Sequence, residues 1–279
     1  MNFDDPETYH LYFGDGEGSP GTLLTFFPWA NAETGRPGAG QASAVAFTIS
    51  EDSLGYWMDR LKCEGLLVTP VRGRFHEAVV ALRDPDGLRL ELVTGSNRRA
   101  QGSWEGSPVP ERHAILGLDG VTLTEANVEP TAALLSATLD FALVAKEAGR
   151  HRFVAGSGGL KVDVVADPHA ERGRIAVGSV HHVAWRVSND AEQRDWRARL
   201  LDAGLHVTQV VDRRYFRSIY FREPGGVLFE IATDGPGFTV DESPDELGTA
   251  LRLPPWLEAQ RASIERALPP LELPSLARA

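Results

Sequence analysis

His181 and His182 stand side by side at the start of an alternating stretch, HHVAWRVS, and Glu230 sits inside another, LFEIATD. Imidazole and carboxylate are donors that divalent transition-metal ions take readily. Both stretches are otherwise largely apolar, and a buried polar group without a partner costs free energy. Packing alone gives little reason for this choice of residues. Taken singly, such a histidine and glutamate would be read as hydrogen-bonding each other in a core. The organisation of the chain around them changes that reading.

The chain repeats itself. ALRDPDGLRLELVTG (Ala81 to Gly95) aligns without a gap on YFREPGGVLFEIATD (Tyr220 to Asp234), with Glu91 and Glu230 at the same place. SAVAFTIS (Ser43 to Ser50) aligns on HHVAWRVS (His181 to Ser188), both with strand alternation. Between each pair lies an amphipathic segment, SLGYWMDRLKCEG or AEQRDWRARLLDAG, with apolar residues at helical spacing and a closing glycine. Each unit reads strand, helix and three antiparallel strands. A third copy runs from GLDGVTLTEA through TAALLSATL to LKVDVVAD, and TYHLYFGDGEGSPGTLLTFFPW carries the last two strands of a fourth.

The expected fold is therefore α+β, with repeated βαβββ modules forming two curled half-barrel pairs. The expected boundaries are 1–40 for a remnant of module one, 41–95 for module two, 114–167 for module three, 178–235 for module four with the metal site, and 236–279 for a C-terminal helical tail. SNRRAQGSWEGSPVPER and PHAERGRIAVGS read as linkers.

A curled unit of this kind lines a concave face with its first and last strands, alternate residues pointing in. One ligand on each of those strands can meet a single ion. The His182 position holds Ala44 in module two and Gly120 in module three; the Glu230 position holds Glu91, Asp163 and, in module one, Thr25. Module four alone combines an imidazole with a carboxylate, which assigns His182 and Glu230 as metal ligands. Glu91 and Asp163 read as a relic or structural site.

Bulk properties narrow the function classes. A chain of 279 residues with 42% hydrophobic and 24% charged content is that of an ordinary soluble globular protein. Its net charge of −11 argues against nucleic acid or an anionic membrane as partner. No apolar run approaches the roughly 20 residues that span a bilayer, and the opening MNFDDPETYH is unlike a secretory signal. A single cysteine, Cys63, excludes an intramolecular disulfide and fits the cytoplasm; on its helical stretch it reads as structural filler.

FDDPETYHLYFGD, SPGTLLTFFPW, HHVAWRV and YFRSIYFREPGGVLFEIATDGPGFTVDE together resemble the hydroquinone-type ring-cleaving dioxygenases of the vicinal oxygen chelate superfamily. The resemblance covers essentially the whole chain, the LPPWLE tail included. It implies a mononuclear Fe(II), in some members Mn(II), held by two histidines and a glutamate, two of which map onto His182 and Glu230. It implies an aromatic diol and O2 as small-molecule partners, and it places His181, Arg213 and Tyr220 in catalytic positions around the ion. The chemistry agrees: His181 or Tyr220 could manage a substrate hydroxyl proton, and Arg213 could hold a phenolate or growing negative charge. Plainer roles exist for both strand residues, Arg213 as half of a surface ion pair and Tyr220 as a core tyrosine facing the same side as Ser218. A non-catalytic small-molecule-binding protein or a glyoxalase-type isomerase would share the module; oxygen uptake and metal stoichiometry separate the three. A homo-oligomer is compatible with the same reading.

In the resembled family the other histidine ligand lies on the opening strand of module one, ahead of Met1. The expectation is that the natural polypeptide begins roughly 30–40 residues upstream, with His10 the candidate third ligand otherwise. His10 aligns with Ser218 in the repeat and is a candidate to reach the pocket. His76, His113, His151, His169 and His206 read as solvated.

Overall fold

The computed structural model of the chain describes residues 2–95, 107–156 and 159–271, so most of the first linker lies outside the described residues. β1 (Leu11–Phe13) and β2 (Leu24–Phe26) form an antiparallel hairpin in which Tyr12 pairs with Thr25. A βαβββ unit follows: β3 (Gln41–Ile49), α1 (Leu54–Cys63), β4 (Arg72–Arg74), β5 (Glu77–Arg83) and β6 (Arg89–Thr94). The next comprises β7 (Gly117–Glu125), α2 (Val128–Ala133, prolonged by a π turn), β8 (Phe141–Glu147), β9 (Arg150–Ala155) and β10 (Leu160–Ala166). The last comprises β11 (Val183–Val187), α3 (Asp190–Asp202), β12 (Val211–Asp212), β13 (Arg217–Arg222) and β14 (Leu228–Thr233). A tail of short 3-10 turns ends in α4 (Arg261–Ala267).

In each full unit the first strand pairs parallel with the last, and the last antiparallel with its predecessor. Antiparallel pairing of β3 with β7 fuses the first two units into an eight-stranded sheet, ordered β4-β5-β6-β3-β7-β10-β9-β8. The last unit makes a four-stranded sheet, β11-β14-β13-β12, against which the β1–β2 hairpin packs through Tyr12 and Tyr215. This is the α+β architecture of paired, curled βαβββ modules.

Local chemistry explains the helix limits. The Asn189 side chain accepts hydrogen bonds from the Ala191 and Glu192 amides and so caps α3. α1 and α3 stop just before Gly65 and Gly204, whose φ values of 74° and 81° suit a residue without a Cβ. On β13 and β14, Ile219, Phe221, Phe229 and Ile231 join a core shared with Leu200 of α3 and with Leu123, Leu135, Phe153 and Val162 of the preceding unit. Each such side chain contributes about 1.5–3 kcal/mol on burial, and a one-residue slip would turn all of them outward. That register leaves Ser218, Tyr220 and Glu230 together on the opposite face. A second core, Ile49, Trp57, Leu61, Val80 and Leu92, lies under α1.

Some single-residue expectations change. His113 is not solvated: it stacks on Tyr56 with centroids 4.3 Å apart and bonds Ser53 at 3.0 Å, because its segment folds back over α1. His151 is half-buried with Nδ1 closed to solvent, since β9 is an inner strand. Cys63 ends α1 and is exposed, so it fills no core. His76, His169 and His206 are exposed.

Candidate active site

Strand register puts the repeat positions in correspondence. Ala184 pairs with Glu230, Ala46 with Glu91, and Thr122 with Asp163. Two residues earlier on each first strand stand His182, Ala44 and Gly120. β11 itself starts at Val183, so His182 sits at the mouth of the strand rather than inside it.

His182 Nε2 lies 2.8 Å from Glu230 Oε2. The other oxygen, Oε1, accepts from the Ser218 hydroxyl and, at 3.2 Å, from the Tyr220 hydroxyl. Arg213 Nε donates to the Tyr220 oxygen at 3.2 Å and its Nη1 to Asp4 at 2.8 Å. At the other end, His181 Nδ1 and His182 Nδ1 are 2.9 Å apart. All five residues assigned from the sequence therefore meet in one hydrogen-bonded chain, from His181 through His182, Glu230 and Tyr220 to Arg213. Ser218 and Asp4 join it without having been assigned. Alternation with Tyr220 already put Ser218 on the right face, whereas nothing in the local pattern pointed to Asp4.

Electrostatics sort the roles. Glu230 is 3% exposed. Burial alone would raise its pKa, but His182, Ser218 and Tyr220 outweigh that and hold it below the usual carboxylate value, so it stays ionised. Burial, then the Glu230 charge, pushes the Tyr220 phenol up to about 12. The His181 residue keeps part of its surface in solvent. Burial of its ring among its neighbours, then the nearby His182, lowers its pKa, which leaves it neutral near pH 7.

The hairpin closes the far side. The Tyr12 hydroxyl and His10 Nδ1 are 2.7 Å apart, and Phe27 lies 4.3 Å from the His10 ring and meets His181 edge-on at 6.5 Å. Phe238 of the tail packs on both Tyr12 and Tyr215. A cavity of about 660 Å³ opens elsewhere, beside the start of α3. The Arg217–Asp190 pair lines it and Arg214 pairs with Asp241 beside it, and no histidine is among its lining residues.

The equivalent places in the eight-stranded sheet are built differently. Glu91, 1% exposed, is neutralised by Arg74 at 2.6 Å and Arg89 at 2.9 Å. Asp163 is held by Arg152 at 2.7 Å and Arg150 at 3.1 Å. A Cβ on Gly120 would meet the Lys161 carbonyl oxygen at 2.4 Å, so no histidine fits there. Guanidinium groups occupy these positions, which makes them structural.

A divalent metal is the group that such a site implies. At His182 and Glu230 an imidazole nitrogen faces an ionised, buried carboxylate, donor types that divalent transition-metal ions take. Among the described residues no cluster of three His, Cys, Asp or Glu side chains surrounds a metal position, so His10 is not placed as a third donor.

Residues 117–231 match the Glyoxalase/Bleomycin resistance protein/Dioxygenase superfamily. Along 99% of its length the chain is 42% identical to MhqO of Bacillus subtilis (strain 168), a proposed ring-cleaving dioxygenase, and covers 88% of that protein. The chain belongs to the ring-cleaving dioxygenases of this superfamily. Within that family it is also 34% identical, over 93% of its length and 83% of the relative, to the chlorohydroquinone/hydroquinone 1,2-dioxygenase of Sphingobium indicum. A crystal structure of a proposed dioxygenase from Bacillus subtilis superposes with a TM-score of 0.94 at 41% identity, covering 99% of this chain and 88% of that one. A glyoxalase I mutant from Zea mays shares the fold, with a TM-score of 0.58 at 16% identity over 84% of this chain and 82% of that one.

Proposed function

We propose that this dioxygenase opens the ring of a hydroquinone-like or catechol-like diol with O2, using Fe(II) or Mn(II) held by His182 and Glu230. The observation that carries the reading is the hydrogen-bonded chain around Glu230: module four alone pairs its buried carboxylate with an imidazole, while the corresponding carboxylates face arginines. The Sphingobium relative, named for hydroquinone and chlorohydroquinone, supports the substrate class. The chemistry that such an ion supplies when bound is redox exchange between an aromatic diol and O2.

The chain's own residues then divide the proton and charge work. His181, neutral near pH 7 and partly open to solvent, is suited to accept the substrate hydroxyl proton. Tyr220 keeps its own proton and acts as a hydrogen-bond donor rather than a base. Arg213, linked to the Tyr220 oxygen through Nε and paired with Asp4 through Nη1, is placed to orient Tyr220 and to offer a hydrogen bond toward a phenolate. The hairpin aromatics, Phe27 and Tyr12, form a wall suited to a planar ring. A cytoplasmic setting belongs to the same reading; among the described residues no helix is long and apolar enough to cross a membrane.

Oxygen-electrode measurements with hydroquinone and added Fe(II) test it. Uptake that needs both and disappears in Glu230→Ala is the expected result. Tight diol binding with no oxygen uptake would instead make the protein a sequestering one, and isomerisation of a glutathione hemithioacetal without oxygen uptake would make it glyoxalase-like.

A further inference from the structure

His10 is the one imidazole on the hairpin face of the site, and its two nitrogens have different fates. Nδ1 is paired with the Tyr12 hydroxyl at 2.7 Å. Nε2 is closed to water and has no hydrogen-bond partner among the described residues. Burial above all, with the Glu230 carboxylate nearby, raises the Tyr12 phenol far above its ordinary value, so it keeps its proton. No other acceptor for that proton is found among the described residues, so Tyr12 donates to Nδ1. The proton of neutral His10 must then sit on Nε2. Burial, then nearby positive charge, pushes the His10 pKa down to about 3, which keeps the ring neutral.

A buried N–H without an acceptor costs about 1–3 kcal/mol, so it calls for a partner that the chain itself does not supply. The surroundings suit an aromatic guest. Phe27 lies between His10 and Trp29, at 4.3 and 5.2 Å, and Trp29 is 46% exposed at the rim. To reach Nε2, a planar ring entering along this wall must displace the side chains that cover it. We propose that His10 is a specificity-determining residue whose Nε2–H donates to the second oxygen of an aromatic diol, the oxygen remote from His182 and Glu230. This rests on the diol reading above. Tyr12 acts through His10: it fixes the tautomer.

The test is a titration of hydroquinone and of phenol, without oxygen, into the purified full chain supplied with Fe(II). His10→Phe keeps an aromatic ring against Tyr12 and Phe27 but removes the donor; His10→Gln restores one. Hydroquinone binding should weaken about tenfold in His10→Phe, about 1.4 kcal/mol, and recover in large part in His10→Gln. Phenol, which has no second oxygen, should change less than twofold. Tyr12→Phe, which leaves His10 in place but frees its tautomer, should also narrow the preference for hydroquinone and guards against misfolding of the first variant. Equal losses for both ligands, or no loss for hydroquinone in protein that binds it, would overturn the assignment of His10 alone. A wild-type chain that binds neither ligand would overturn the diol reading and the proposal with it.

Discussion

The same carboxylate position serves two purposes in one chain, and the neighbours decide which. Glu91 faces Arg74 and Arg89, while Glu230 faces His182 with Ser218 and Tyr220 behind it. An arginine is a permanent cation that shares no lone pair, whereas a neutral imidazole offers one to a metal. Metal analysis of purified variants should separate these roles. His182→Ala and Glu230→Ala should lose bound Fe(II) or Mn(II), and Glu91→Ala should retain it. Ser218→Ala, which removes one of the two hydroxyls that hold Glu230 Oε1, should bind metal about 10–100-fold more weakly. Tyr220→Phe should keep the metal yet slow ring opening by about 10²-fold. Retention in Glu230→Ala with loss in Glu91→Ala would move the site to the eight-stranded sheet.

At the scale of elements, the turn between β13 and β14 shows how a repeated motif is adapted. REPGG in this turn corresponds to RDPDG between β5 and β6, so Gly225 stands where the earlier repeat has Asp86. Gly226 and Gly87 share positive φ values of 114° and 93°, which the turn requires. Gly225 has a different reason to be glycine: a Cβ there would meet Glu125 Oε2 at 1.9 Å. The end of β7 presses on this turn, and the contact ties the last two units together. Gly225→Ala should therefore cost about 1–3 kcal/mol by overpacking, a drop in Tm of several degrees at about 2–4 °C per kcal/mol for a chain of this size class. Thermal unfolding followed by circular dichroism would show it; an unchanged Tm would mean that Glu125 swings away without cost.

The whole molecule is held across that contact by two buried carboxyl groups. Glu125 and Glu223 are 1% and 2% exposed. Glu223 accepts from the Thr131 hydroxyl at 2.6 Å and from the Gly225 and Val227 amides at 2.9 and 2.8 Å. Burial and then the Glu223 charge push Glu125 up to about 8, from an ordinary value of 4.5. Between those values the folded chain keeps a proton that the unfolded chain has released, so folding is favoured less as pH rises. Stability should fall across that window, at most by about 1.4 kcal/mol per pH unit from this group. Urea unfolding of wild type and Glu125→Gln at pH 5, 6.5 and 8 measures it. The variant should lack this part of the slope, and parallel pH profiles would show that the pair does not hold the extra proton.

Much of this protein is written locally. Two-residue alternation and the repeated RxPxG turn reveal the βαβββ units, and their alignment alone places His182 against Glu230 and Tyr220 beside Ser218. Strand geometry makes that legible, because sequence parity sets the face of a sheet on which a side chain lies. The charge partners were not legible in this way. That Arg74 also reaches Asp163, and Arg152 also reaches Glu77, depends on how the β3–β7 pairing joins two modules in one sheet. That Asp4 meets Arg213, 209 positions away in sequence, depends on how the hairpin docks on module four. The same docking brings His10 and Tyr12 to the site. Local pattern determines which way a side chain points, but its partner is set by the packing of one module against another, which only the tertiary structure decides.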